Sequence, residues 1–129
     1  MRSHHQAAVW IDHHEARVFH VRAGDIDVSP IGAPHRHVQR HPKDTRAERQ
    51  HPEDERRFFH DVAEALADAD QILVLGPSTA KLQLLRYLRE HAPLVEQRVV
   101  AVETVDHPTD RQLVAQVKAY FDPRAAETR

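Results

Sequence analysis

The chain reads as an α/β fold, a mixed sheet with helices on both of its faces. Three features of the sequence predict it. The first is Ile72-Leu73-Val74-Leu75-Gly76, a short apolar run ending in glycine that reads as a buried strand. Gly76 and Pro77 break that run, Ser78 stands where an N-cap belongs, and Lys81 falls in the first turn of a helix. The second is another apolar run, Arg98 to Val105, reached through that helix. The resulting β-α-β unit is expected to be a right-handed parallel crossover. The third is the N-terminal stretch, where short strand-like runs alternate with turn signals, as in an antiparallel meander. Helices on both faces are the way such a sheet buries its apolar sides.

In chain order, Gln6 to Asp12 and Ala16 to Arg22 are two strand-like runs. In the second, Val18, His20 and Arg22 alternate with Arg17, Phe19 and Val21, and the polar His13-His14-Glu15 between the runs predicts a hairpin loop. Ala23-Gly24-Asp25 is a second turn signal, and Ile26 to Ile31 a third strand, stopped by Pro30 or Gly32. His51-Pro52-Glu53-Asp54-Glu55 starts a helix, with proline near its first position and acids in its first turn. Phe58, Phe59, Val62, Ala63, Leu66 and Ala69 continue it at helical spacing to about Ala69. After the organising strand, a helix from Ser78 to His91 is expected to bury Leu82, Leu85 and Leu88, with Leu84 beside them, and to end at Ala92-Pro93. Arg98 to Val105 reads as a second buried strand. Asp106-His107-Pro108-Thr109-Asp110 starts the last helix, whose stripe is Leu113, Val114, Val117, Tyr120 and Phe121. Trp10, Phe19, Phe58, Phe59 and Phe121 are spaced as core residues.

The 129 residues suit one α/β domain, 1–123, with a polar tail, 124–129. A domain of that size buries roughly 65–70% of its unfolded surface. The absence of cysteine excludes a disulfide framework, a thiolate zinc site and a thiol nucleophile. No apolar run approaches the length of a membrane span, and Met1 to Gln6 is too polar for a signal peptide, so a cytoplasmic protein is expected. The net charge of −2 is not that of a globally basic nucleic-acid protein, although 12 histidines would turn it positive at mildly acidic pH. The one local positive cluster lies in residues 33–50. There Arg36, Arg40, Lys43, Arg46 and Arg49, with three histidines, outweigh Asp44 and Glu48. The segment has no periodicity and reads as a long, basic, flexible loop of the kind that carries function or is disordered.

Three stretches together resemble one family: Val9-Trp10-Ile11-Asp12-His13-His14-Glu15-Ala16-Arg17-Val18-Phe19, Ile72 to Lys81 with its Gly76-Pro77-Ser78-Thr79 turn, and Val102-Glu103-Thr104-Val105-Asp106-His107-Pro108-Thr109-Asp110. The family is that of small bacterial translational machinery proteins. These are similar to the third, C-terminal domain of archaeal and eukaryotic class-1 release factors and Pelota. The resemblance spans nearly the whole chain except the basic loop and the tail. It implies an α/β/α sandwich related to RNA-binding ribosomal proteins and a link to the ribosome. Release in those factors uses a Gly-Gly-Gln tripeptide on another domain. The glycines here are Gly24, Gly32 and Gly76, no two adjacent, so peptidyl-tRNA hydrolysis is not expected. Because the third domain of the large factors mainly binds partner proteins, a protein partner is implied as readily as RNA.

Several stretches suggest chemistry, and each has a plainer reading beside it. Ser78, Thr79 and Lys81 suit either a weak phosphate grip at a helix N-terminus or an ordinary capped turn. The turn lacks the second glycine and the Lys-Ser/Thr pair of a Walker A loop. His35, His37 and His41 suggest a metal site, but no second set of ligands accompanies them, and a flexible loop would lose entropy in forming it. Arg36, Arg40, Lys43, Arg46 and Arg49 suit salt-sensitive contacts to an RNA backbone, or an inert solvated loop. Asp12, His13, His14 and Glu15 read as a catalytic or metal cluster or as turn residues. Asp106, His107 and Asp110 read as an acid/base pair or as helix capping, with no serine or cysteine nucleophile at a recognisable position. The expected role is a non-enzymatic, cofactor-free factor that binds the ribosome or ribosomal RNA through the basic loop and the Lys81 turn. The alternatives are a protein-interaction module that uses a sheet edge or helix face, and a histidine-based metal-binding protein.

Overall fold

A computed structural model describes residues 5–22, 25–32 and 52–122, with side chains from residue 54 in the last segment. Among these residues five strands form one sheet: β1 (Gln6–Ile11), β2 (Glu15–Arg22), β3 (Asp25–Gly32), β4 (Gln71–Gly76) and β5 (Val99–Thr104). The spatial order is β3-β2-β1-β4-β5. β1 pairs antiparallel with β2, and β2 antiparallel with β3. On its other side β1 pairs parallel with β4, and β4 parallel with β5. The expected α/β fold with a mixed sheet is therefore the observed one, with the meander on one flank and the crossover unit on the other.

The helices are α1 (Pro52–Leu66), α2 (Ala80–His91), the short α3 (Pro93–Glu96) and α4 (Asp110–Phe121). The strand period of two sends alternate residues to opposite faces, and each face has its own core. Ala7, Val9, Ile11, Val18, Ile72 and Val74 meet Phe58, Phe59, Val62 and Leu66 of α1 and Leu84 and Leu88 of α2. Ala8, Trp10, Phe19, Leu73 and Leu75 meet Leu113 and Val117 of α4. The result is three layers, α/β/α. No helix among the described residues is long and apolar enough to cross a membrane.

Several local expectations need correction. α1 ends at Leu66, not near Ala69. Ala69 is buried in the link to β4, where its N–H donates to the Leu66 carbonyl and Asp70 N–H to that of His5. Of the two expected stops for β3 the strand ends at Gly32, and it runs through Pro30 because an edge strand tolerates a residue that cannot donate to a ladder. α2 starts at Ala80 with Thr79, not Ser78, at the N-cap, and no side chain caps it. Its buried residues are Ala80, Lys81, Leu84 and Leu88, whereas Leu82, expected inside, is 53% exposed. One turn of helix separates Leu84 from Ala80 and Leu88, and Leu82 falls on the far side of that stripe. β5 is a half-exposed edge strand, not a buried one, and a bulge shifts its register between Ile72 and Leu73. In α4 the buried residues are Leu113 and Val117, and Tyr120 is exposed. That helix begins at Asp110 behind a capping box, in which Thr109 accepts from the Gln112 N–H and the Gln112 side chain accepts from the Thr109 N–H.

Gly76 closes the central strand for a specific reason. A Cβ there would meet the Ile11 carbonyl oxygen of the neighbouring strand, a backbone atom that cannot swing away as a side chain can. The Gly76→Ala variant is expected to lose about 1–3 kcal/mol through this overpacking. Urea unfolding would show it as a lower midpoint at unchanged slope, and an unchanged midpoint would mean that the two strands can separate at no cost.

Candidate functional site at the carboxyl edge of the sheet

Strands β1, β4 and β5 run parallel, so their C-terminal ends and the turns that follow converge on one edge of the sheet. In α/β sheets this is the edge at which ligands bind. The β1–β2 turn brings Asp12, His13 and His14, the β4–α2 turn brings Pro77, Ser78 and Thr79, and the β5–α4 link brings Asp106 and His107.

Side chains tie these turns together. Asp12 Oδ1 accepts from the backbone N–H groups of His14 and Glu15 at 2.8 and 2.9 Å, which shapes the hairpin. Its other oxygen lies 3.6 Å from His107 Nε2, while His107 Nδ1 lies 2.9 Å from Asp106 Oδ1. His13 Nε2 lies 3.4 Å from Thr79 Oγ1. Trp10 is fully buried, yet its indole N–H must find an acceptor. It donates to the Asp106 carbonyl at 2.9 Å and so fixes the β5–α4 link against β1. The Arg17 guanidinium stacks over the Trp10 ring at 4.5 Å and donates to Asp110 Oδ1 at 2.7 Å. Val105 N–H donates to the Gly76 carbonyl at 3.0 Å.

The residues singled out in the sequence divide into two groups. Ser78, Thr79 and Lys81 lie at this edge. Ser78 and Thr79 are exposed, but Lys81 is only 7% exposed. Its Nζ donates to the Ser78 carbonyl at 2.7 Å, which holds the ammonium against the turn. Arg36, Arg40, Lys43, Arg46 and Arg49, and His35, His37 and His41, lie outside the described residues. Among the described residues no group of three or more His, Asp or Glu is arranged to hold a metal ion.

The topology nevertheless fixes where segment 33–50 is rooted. β3 runs parallel to β1, and its last residue, Gly32, pairs with Glu15 beside the β1–β2 turn. The chain thus enters the segment at the carboxyl edge. It leaves at α1, a helix of 15 residues, about 22 Å long. α1 finishes near the start of β4, and Gln71 of β4 pairs with Gln6 at the start of β1. Its first turn therefore lies at the opposite end, again the carboxyl edge. Both roots of the basic segment lie at the same carboxyl edge as the Ser78–Lys81 turn, with β2 and β1 between Gly32 and β4.

Sequence reasoning missed the partnerships across the turns: His13 with Thr79, His107 with Asp12, and Arg17 with Trp10 and Asp110. Each joins residues far apart in the chain, and only the strand order brings them together.

The comparisons with known proteins bear on the fold. The chain is similar to Pelota of Archaeoglobus fulgidus at TM-score 0.62 and 19% identity, over 98% of this chain and 36% of that one. It is similar to Pelota of Thermoplasma acidophilum at 0.63 and 18%, over 95% of this chain and 34% of that one. An archaeal translation termination factor, aRF1, matches at 0.59 and 13%, over 95% and 38%. The fold is a Pelota and release-factor domain fold. The chain spans about a third of the length of each of these proteins. No protein-family model and no curated protein matches the sequence.

A separate histidine pair sits at the opposite end of the sheet. His5 Nε2 and His20 Nδ1 lie 3.0 Å apart. Burial first, then the neighbouring His5 and Arg22, hold the His20 imidazole below its ordinary 6.5, against the opposite pull of Asp27 and Asp68. A base that is harder to protonate when folded leaves the unfolded chain binding more protons. Its contribution to stability is therefore complete above pH 6.5 and is lost as pH falls from 6.5 through the lower folded value. Replacing His20 (His20→Gln) is expected to flatten the decline in stability below about pH 6.5 relative to wild type. Urea midpoints measured from about pH 8 to about pH 5 would show this, and parallel profiles for the two proteins would refute it.

Proposed function

We propose that this chain is a non-enzymatic, ribosome-associated factor of translation that contacts RNA through one edge of its sheet. The contact joins the basic segment, with Arg36, Arg40, Lys43, Arg46 and Arg49, to the Ser78–Thr79–Lys81 turn. One observation carries the reading: both ends of the segment are rooted at the carboxyl edge where that turn lies. Five cationic side chains and the uncapped N-terminus of α2 would then face the same phosphate backbone. The fold shared with Pelota and with a translation termination factor supports a place in translation, and a cytoplasmic setting belongs to the same proposal.

The physical signature is salt dependence. If the five loop cations each neutralise one phosphate on single-stranded RNA, raising salt from about 50 to about 200 mM lowers affinity roughly 10²-fold. Wild type is expected to sediment with ribosomes at low salt and to be released at high salt. The variant with Arg36, Arg40, Lys43, Arg46 and Arg49 changed to glutamate should stay in the supernatant throughout. Wild type left in the supernatant at low salt would overturn RNA contact, and salt-insensitive pelleting would point to a protein partner on the ribosome.

A further inference from the structure

Two imidazoles meet at the amino end of the sheet, away from the carboxyl edge. His20 lies in β2, opposite Ala7 of β1 on one side and Asp27 of β3 on the other. His5 precedes β1, and its backbone is fastened to the link before β4. Its N–H donates to Asp70 Oδ2 at 3.0 Å, and its carbonyl accepts from the Asp70 N–H. Both rings are thus carried on backbone that the sheet already holds, which is the support a pair of ligands needs. His5 Nε2 and His20 Nδ1 face each other at 3.0 Å, with ring centroids 5.1 Å apart. Both residues are half-buried, so solvent still reaches them. Each neutral ring can carry its one proton on the far nitrogen, which leaves both near nitrogens as donors.

We propose that His5 and His20 chelate one divalent transition-metal ion of tetragonal preference, Cu²⁺ or Ni²⁺, through His5 Nε2 and His20 Nδ1. With metal–imidazole bonds of about 2.0–2.1 Å, nitrogens at right angles stand about 2.9 Å apart and nitrogens at a tetrahedral angle about 3.3 Å apart. The observed 3.0 Å is closer to the first. A pivot of each ring turns the two lone pairs from each other to a common point beside them. The surrounding charge suits a cation. Asp27 and Asp68 both draw positive charge toward His20. Arg22, which opposes it, is itself engaged by Asp27 Oδ2 at 3.2 Å. Two protein ligands are fewer than the three or four of a zinc centre, so water holds the other positions and the ion exchanges. Imidazole suits both ions, and Cu²⁺ should bind more tightly than Ni²⁺ or Zn²⁺. The site lies at the end of the sheet opposite the proposed RNA contact and does not depend on it.

Titrating the full chain with Cu²⁺ while recording its amide NMR spectrum tests the site on wild type, free of any substitution. Paramagnetic broadening at sub-stoichiometric Cu²⁺ is expected first at Gln6, Val21 and Asp27, and only later beside His13, His14 and His107. The electron paramagnetic resonance of the first equivalent should show two equatorial imidazole nitrogens. H5Q and H20Q should each weaken that equivalent at least roughly 10-fold, the lower end of what losing even a supporting partner of a metal ligand costs. Broadening that begins at other histidines, or everywhere at once, would overturn the proposal. So would a signature of one nitrogen, variants that bind as wild type does, or Zn²⁺ bound as tightly as Cu²⁺.

Discussion

The structure depends on one parallel pair, β1 with β4, that has no solvent face. Ala7 to Ile11 and Ile72 to Leu75 have zero exposure on both sides of the sheet. A strand pair that buries residues of both parities must be covered above and below, and this sets the three-layer plan. α1 and α2 cover one side and α4 the other. The pair also sets how closely backbones must approach. At Gly76 the Ile11 carbonyl comes so near that no Cβ fits, and the chain then leaves the sheet for α2.

From the same pair follows the polar edge. Trp10 fills the α4 side beside the small Ala8, and its buried indole N–H needs an acceptor. The Asp106 carbonyl satisfies it, so the link into α4 is held to β1 before any surface side chain takes part. Arg17, directly opposite Trp10 in the register, packs over the ring and reaches Asp110 in the first turn of α4. An acid there also suits the positive end of the helix dipole. The exposed His13, Thr79 and His107 surround this anchored frame, and each already has a partner in the fold. The edge is thus preorganised by packing, which is what a binding surface built on turns requires.

Much of the fold was legible because the strongest signals are local. The Ile72–Gly76 run, the Gly76-Pro77 break, the acids after Pro52 and the polar hairpin at His13-His14 each mark an element through its own residues. The misreadings share one cause, which is that periodicity reports apolarity and not neighbours. Val99 to Thr104 is as apolar as a central strand, but among the described residues no strand pairs on its outer side. Leu82 is as apolar as Leu84, but the crossover turns Leu84 and Leu88 toward the sheet and leaves Leu82 outside. Of the two stops expected for β3, Gly32 holds, and Pro30 is tolerated at an edge. The candidate site was legible as separate turns only. Lys81, named from its place in a first turn, turned out to be nearly buried with its ammonium on the Ser78 carbonyl, an orientation that residue order does not encode.

The strand directions give the basic segment a meaning that its composition alone lacks. Five cationic residues scattered over 36–49 among histidines, acids and a proline have, by themselves, no preferred surface. Here β1, β3, β4 and β5 all point the same way, and only β2 runs back. One odd strand in five sends the end of β3 and the beginning of α1 to the edge that also holds the N-terminus of α2. In the proposed function this means that the segment with residues 36, 40, 43, 46 and 49 is entered and left at the edge that also holds the positive end of the α2 dipole. In the proposed contact the two like potentials would add at a bound phosphate, and entry and exit points fixed on one edge would limit the entropy lost on binding.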